Sequence, residues 1–164
     1  MRPVLTSFHI AFRSLSTFFS ISSIVVVKAM AEPAPWQDFH GDWNVTKSER
    51  MEDFLGEVGV PWPIRKIAAN VSSTMKMKVD GDKIKIQMVS TFHTQPENEF
   101  HVNGGETLAD FGKNKFKATM KYEDGKLICH LDGQGKAKSQ TVTRQIVNGE
   151  MIQVLVVFIY LKLN

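Results

Sequence analysis

The side chain with the most chemistry to offer in this sequence is an arginine set among apolar residues. Along residues 137–147 one parity reads Ala137, Ser139, Thr141, Thr143, Gln145, Val147 and the other Lys138, Gln140, Val142, Arg144, Ile146, so Arg144 shares a strand face with Val142 and Ile146. If that face points inward, a guanidinium is held in a dry interior and needs a carboxylate or water, because an unpaired buried charge is very costly. The neighbouring strand supplies no acid of suitable parity, which leaves an anionic head group, gripped by two parallel charge-assisted hydrogen bonds, as the natural partner. The other placement is an edge arginine facing solvent with Val142 outside. Alternation alone leans slightly to that second placement.

Other reactive residue types are less promising. Cys129 lies on the parity of Leu127 and Leu131, and a cysteine in such a setting is ordinarily an inert small hydrophobe; no base stands beside it to make it a nucleophile. No serine elbow or carboxylate pair is present, so the chain reads as a non-enzyme. His9, His40, His93, His101 and His130 lack metal-ligand spacing, and a metal site is not expected. Gly133-Gln134-Gly135-Lys136 resembles a phosphate loop only superficially, since it lies between strands with no helix after it. No cofactor is implied.

The elements that must position Arg144 are strands. Met75, Met77 and Val79 alternate with Lys76, Lys78 and Asp80, and after Asp80-Gly81-Asp82 the series Ile84, Ile86, Met88 continues the pattern. Phe116, Ala118, Met120 and Tyr122 alternate with Lys115, Lys117 and Lys121. Turns at Glu123-Asp124-Gly125, Asp132-Gly133 and Asn148-Gly149 separate the later strands, the last leading into Met151, Ile152 and Val154. Ahead of them residues 36–48 read as a short strand. Ser48 then caps a helix with Met51, Phe54, Leu55 and Val58 on one stripe, and a second helix after Pro61 carries Ile64, Ile67, Ala68 and Val71 on one face. Helices that occur once, between the first strand and the rest, exclude a βαβ repeat. An antiparallel barrel with the two helices as a lid fits best.

Charge narrows the partners. Lys plus Arg total 20 against 17 acids in 164 residues, but Arg2, Arg13 and Lys28 fall in residues 1–31, which hold no acid, so the remainder is balanced and nucleic acid is not expected. The segment 1–31 reads as a leader or non-native extension. Its apolar stretch Leu15–Val27 is too short for a membrane-spanning helix; a start at Met30 is the favoured reading, with a cleaved signal peptide ending at Ala29-Met30-Ala31, or a mitochondrial presequence, as alternatives. The sequons at Asn44 and Asn70 would carry sugar in a secreted form. One cysteine permits no intramolecular disulfide, which suits a cytoplasmic protein.

Several motifs, in order, carry a family likeness: Phe39-x-Gly41-x-Trp43, Ser48-Glu49, Phe54-Leu55 with Gly59-Val60, Arg65-Lys66-Ile67-Ala68, Asp80-Gly81-Asp82, Ser90-Thr91-Phe92, Asp124-Gly125-Lys126-Leu127, and Arg144 with Gly149. From about Asp38 to Val154 the chain resembles the intracellular lipid-binding proteins, which include the fatty-acid-binding and cellular retinoic-acid-binding proteins. The resemblance implies a mainly β fold: an up-and-down antiparallel barrel of about ten strands, capped by a helix-turn-helix and enclosing a water-filled cavity for one lipid. It implies a carrier of a long-chain fatty acid or retinoic acid, and a monomer is expected. Arg65 and Lys66 read first as a solubilising helix face, with transient contact to anionic membrane or a nuclear-import patch as alternatives. Arg144 falls on the family's ligand-carboxylate arginine, which moves the balance to the inward placement. By matching position, Met51, Phe54, Ile64, Phe92 and Phe111 line the portal or upper cavity, and Phe116, Ala118, Met120, Val142 and Ile146 the wall.

The likeness stops within a strand. Family members end with a turn and a last strand carrying Arg-x-Tyr, whereas residues 155–164 here form an atypical apolar tail. The expected barrel domain is therefore 36–154, with an aberrant last strand, an open edge beside the first strand and a half-built anion site.

Overall fold

The computed structural model of the protein describes residues 33–68 and 70–158. The expectations for residues 1–31, and for the end of the apolar tail from residue 159, lie outside the described residues.

The described chain forms nine antiparallel strands and two short helices. β1 (Gly41–Asn44) leads into α1 (Met51–Glu57) and α2 (Trp62–Ala68), and eight strands follow: β2 (Ser73–Asp80), β3 (Lys83–Ser90), β4 (Asn98–His101), β5 (Thr107–Phe111), β6 (Asn114–Glu123), β7 (Lys126–Gly133), β8 (Gln140–Val147) and β9 (Glu150–Val157). They make two sheets, β1-β2-β3-β4 and β5-β6-β7-β8-β9, each a simple up-and-down meander. Two-residue turns set the register. At Asp124-Gly125 and Asn148-Gly149 both central residues have positive φ, the conformation that matches strand twist and that Asp, Asn and Gly tolerate.

Alternation puts one face of every long strand inside. Met75, Met77 and Val79 of β2, Ile84 and Ile86 of β3, Phe116, Ala118 and Met120 of β6, Leu127, Cys129 and Leu131 of β7, and Val142 of β8 are all buried in one core. Lys113, Lys115, Lys117 and Lys121 face solvent. The sheets meet along β4 and β5. There Asn98, 6% exposed, donates from Nδ2 to the Asp110 carbonyl (3.0 Å) and accepts from the Asp110 N–H at 2.7 Å, replacing ladder bonds with a side-chain amide. Lower down, Asn103 N–H donates to the Met120 carbonyl and Tyr122 N–H to Asn103 Oδ1.

The remaining edges are unjoined among the described residues: β1 pairs with β2 and β9 with β8, but not with each other. The end at which β1 begins is closed by the segment before it. Phe39 is buried, Trp36 Nε1 donates to the Gly81 carbonyl at 2.9 Å, and the Trp36 ring lies 5.6 Å from Tyr122. The helices occupy the opposite end, where Glu57 of α1 pairs with Lys138 ahead of β8 at 3.1 Å.

Several details depart from the sequence reading. Ser48 does not cap α1; the cap position is Arg50 in a left-handed conformation (φ 55°), without a side-chain cap bond but with Nε paired to Asp53 Oδ2 at 3.1 Å. Residues 36–48 contain a short 3-10 turn before a four-residue strand rather than one continuous strand. β4 and β5 occupy residues to which alternation assigns no strand, although a barrel of about ten strands requires them there. The apolar stripe of α1 is half-buried throughout, whereas Ile64 and Ile67 of α2 are more than half exposed, so α2 lies against the surface and its stripe is not covered.

Candidate functional site

Arg144 lies on the inner face of β8 and is 8% exposed. Its position follows from pairing. Asn148-Gly149 fixes the β8–β9 hairpin, Val147 pairs with Glu150, and counting back places Arg144 opposite Gln153 on β9 and opposite Leu127 on β7. Directly paired residues in an antiparallel ladder point to the same side, so Leu127, fully buried, forces Arg144 into the core. The alternation-only placement in solvent is thereby set aside.

The guanidinium has no protein anion for company. None of the ion pairs among the described residues includes it, and its buried Nε has no hydrogen-bond partner. Burial drives its pKa down to about 10, the neighbouring Cys129 acting weakly in the other direction. The group therefore stays cationic at neutral pH in a setting that disfavours the charge. Cys129 shows the complementary effect: burial pushes its thiol up to about 11, with Arg144 pulling the other way, so it is not a nucleophile at neutral pH.

Depth comes from the strand rise. Arg144 is four residues along β8 from Gln140, at the helix-bearing end, so an anion bound to it sits roughly 13 Å below that end. Between the two levels lie apolar side chains. Met120 on β6 and Val142 on β8 are buried there; Ala118 is buried level with Gln140, Phe116 is buried one step nearer the helices with the half-buried Phe111 ring 5.6 Å from it in an edge-on contact, and the half-buried Ile146 lies on the far side of Arg144. Met51 and Phe54 on α1 are half-buried. Ile64 is 55% exposed and Phe92, in the β3–β4 connection, 74% exposed, so both lie on the surface and neither lines an upper cavity wall.

Two concavities open at the helix-bearing end. One of about 500 Å³ is lined by Asn44, Val45, Ser72, Ser73, Thr74, Val89, Ser90 and Thr91, where the chain enters α1 and leaves α2. The other, about 230 Å³, lies between the ends of β7 and β8 beside Gln140 and Phe158. Neither reaches Arg144. Of the basic pair on α2, Lys66 pairs with Glu52 at 3.1 Å, whereas Arg65 is turned onto Gly56, where a methyl group would collide with its guanidinium, and its buried Nε has no hydrogen-bond partner.

Sequence reasoning missed Asn98. An asparagine that opens a strand after Pro96 gives no local sign that it bridges two sheets.

Known proteins share this architecture. Residues 40–157 match the model of the lipocalin / cytosolic fatty-acid binding protein family. The chain is similar to fatty acid-binding protein 5 of Mus musculus, 32% identical over 123 residues, covering 73% of this chain and 86% of the relative. It is 39% identical over 93 residues to fatty acid-binding protein homolog 5 of Caenorhabditis elegans, covering 56% and 67% respectively. The apo crystal structure of Caenorhabditis elegans lipid binding protein 8 superposes with a TM-score of 0.68 at 28% identity, covering 74% of this chain and 88% of that one.

Proposed function

Because the chain belongs to the lipocalin / cytosolic fatty-acid binding protein family, we propose that it is a non-enzymatic carrier of a long-chain fatty acid, held with the carboxylate on Arg144 and the acyl chain directed toward the helices. The observation that supports this reading is the buried, anion-free guanidinium of Arg144. A carboxylate would replace the lost hydration of the cation and complete its hydrogen bonding through charge-assisted bonds worth about 1.5–3 kcal/mol each.

The acyl chain supplies the bulk of the affinity. At about 0.8 kcal/mol per buried methylene a long chain contributes on the order of 10 kcal/mol before ordering costs, while the head group sets orientation and discriminates against neutral lipids. The packed side chains between Arg144 and the rim include Met75, Met77 and Met120, whose flexible thioethers can reorganise around a guest. Phe92, Ile64 and the half-buried Met51 and Phe54 form the rim through which it enters. The barrel domain, expected over 36–154, carries β9 on to Val157 and works as a monomer in the cytoplasm. Collisional contact with membranes falls to the exposed Trp62, Ile64 and Ile67 of α2 more than to Lys66, which is paired with Glu52.

Retinoic acid shares the carboxylate and the apolar body. A lipid-stripped chain beginning at Met30, titrated with a fluorescent fatty acid and then challenged separately with palmitate and retinoic acid, distinguishes them. Palmitate is expected to displace the probe at lower concentration. Displacement by neither refutes the carrier reading, and preference for retinoic acid reassigns the ligand.

A further inference from the structure

We propose that the open edge of β9 is a self-complementary interface, through which two copies of this chain pair antiparallel about a two-fold axis at Val154 and form a weak dimer. The hydrogen-bonding direction of β9 is fixed by its pairing with β8. There the Phe158 N–H donates to the Ser139 carbonyl at 2.9 Å, continuing the register in which Val157 faces Gln140. In an antiparallel ladder this direction alternates, so Ile152, Val154, Val156 and Phe158 direct their backbone groups to β8, while Met151, Gln153, Leu155 and Val157 direct theirs to the open side. No strand among the described residues pairs with that side.

The register follows from those four residues. Only pairing centred on Val154 sets Met151 against Val157 of the second copy and Gln153 against Leu155 of the second copy, so that every edge N–H and C=O finds a partner. The same register brings apolar side chains together on the outer face: Val154 meets Val154 of the second copy, and Ile152 meets Val156 of the second copy, all about half exposed in the single chain. No charge opposes the contact, since the sequence holds none between Glu150 and Lys162. The other unjoined strand, β1, is four residues long and presents an exposed Asp42, which protects it from such pairing. A lipid surface fits the β9 edge poorly, because it cannot satisfy the backbone groups. The contact strip is about 26 Å long and about 10 Å thick, one sheet's depth, which buries on the order of 500 Å² counting both copies. That is well under the roughly 1,200 Å² of a stable interface, so the dimer forms at about 10–100 µM and the dilute carrier is a monomer.

The pairing does not depend on the carboxylate reading of Arg144, and its test is the oligomeric state. The full chain, stripped of lipid, and its Val154→Lys variant are followed by sedimentation velocity from about 1 to about 300 µM, with melting temperature and palmitate affinity recorded for both. Wild type is expected to pass from monomer to dimer. Val154→Lys sets two ammonium groups face to face at the axis, so it is expected to weaken the dimer at least about tenfold while palmitate affinity stays within about twofold. Oxidative cross-linking reads the register. Cα atoms at the axis lie about 4.5 Å apart, within disulfide reach, so Val154→Cys is expected to form a covalent dimer. Ile152→Cys is expected to form one only when mixed with Val156→Cys, and wild type, whose Cys129 is buried, is the control. Wild type that stays monomeric at about 300 µM overturns the proposal, including the case in which residues 159–164 shield the β9 amides from exchange. A dimer undiminished in Val154→Lys, or one cross-linked as readily through Ile152→Cys alone, overturns it as well.

Discussion

Replacing Arg144 by methionine is expected to make the lipid-free protein more stable and a worse carrier. The unbranched thioether follows much of the arginine stem without its charge. A guanidinium whose pKa falls well below its ordinary value, to about 10, on folding costs the native state roughly 3 kcal/mol, at about 1.4 kcal/mol for each tenfold change in protonation. Because the folded value is the lower one, that cost is fully present below pH 10 and is relieved only as pH rises above about 10 toward the ordinary arginine value. At pH 7, then, removing the charge recovers it. Imperfect fit of the new side chain takes back about 1 kcal/mol, which leaves a net gain of about 2 kcal/mol, or roughly 8 °C in melting temperature. The assay is paired: thermal and urea unfolding of lipid-stripped wild type and variant, then the same with saturating palmitate. Wild type should gain about 3 kcal/mol with ligand at a hundred times its dissociation constant, and the variant much less. A lipid-free methionine variant that is less stable than wild type by more than 1 kcal/mol would mean that Arg144 is held by a protein partner, and the premise of an unpaired cation would fail.

Three further outcomes follow from the same physics. Asn98→Leu removes both hydrogen bonds to the Asp110 backbone and leaves its N–H unsatisfied between the sheets, so unfolding free energy should fall by about 2–3 kcal/mol, with faster amide exchange across β4 and β5 in mass-spectrometric labelling. Gly133→Ala sets a methyl group against the Ala137 carbonyl at the end of β7, and a loss of about 1–3 kcal/mol in urea unfolding is expected, against less than 0.5 kcal/mol for an exposed control such as Lys121→Ala. Palmitate affinity should be flat from pH 7 to 9 and weaken above about pH 10, approaching tenfold per pH unit as Arg144 deprotonates; a constant affinity to pH 11 in still-folded protein would contradict this.

Much of the barrel was legible because its information is local. Asp124-Gly125 and Asn148-Gly149 announce left-handed turn positions, and alternation of lysine with apolar residues along β2, β3 and β6 fixes which side chains share a face. Parity placed Arg144 with Val142 and Ile146 but could not say which face was covered. That depended on β7 and the fully buried Leu127, a partner separated in sequence. β4 and β5 escaped because each is short, Gly104-Gly105 interrupts the alternation, and their cohesion comes partly from Asn98, whose role is purely tertiary. The start of α1 escaped for a related reason. Ser48 has the right chemistry for a cap, but the chain turns into the helix through a left-handed Arg50, a conformation for which arginine gives no sequence signal.

The central claim is that a lipid carboxylate sits ionised against the Arg144 guanidinium. Carbon-13 NMR of palmitate labelled at its carboxyl carbon, bound to the lipid-stripped chain and titrated from pH 8 to 3, tests it most directly. The account predicts one bound carboxyl resonance, distinct from free lipid, that shows no protonation shift until well below the ordinary carboxylate range near 4.3, and that disappears or titrates normally in Arg144→Met. A bound resonance that titrates as an ordinary carboxylate in wild type, or no bound resonance at all, would contradict it.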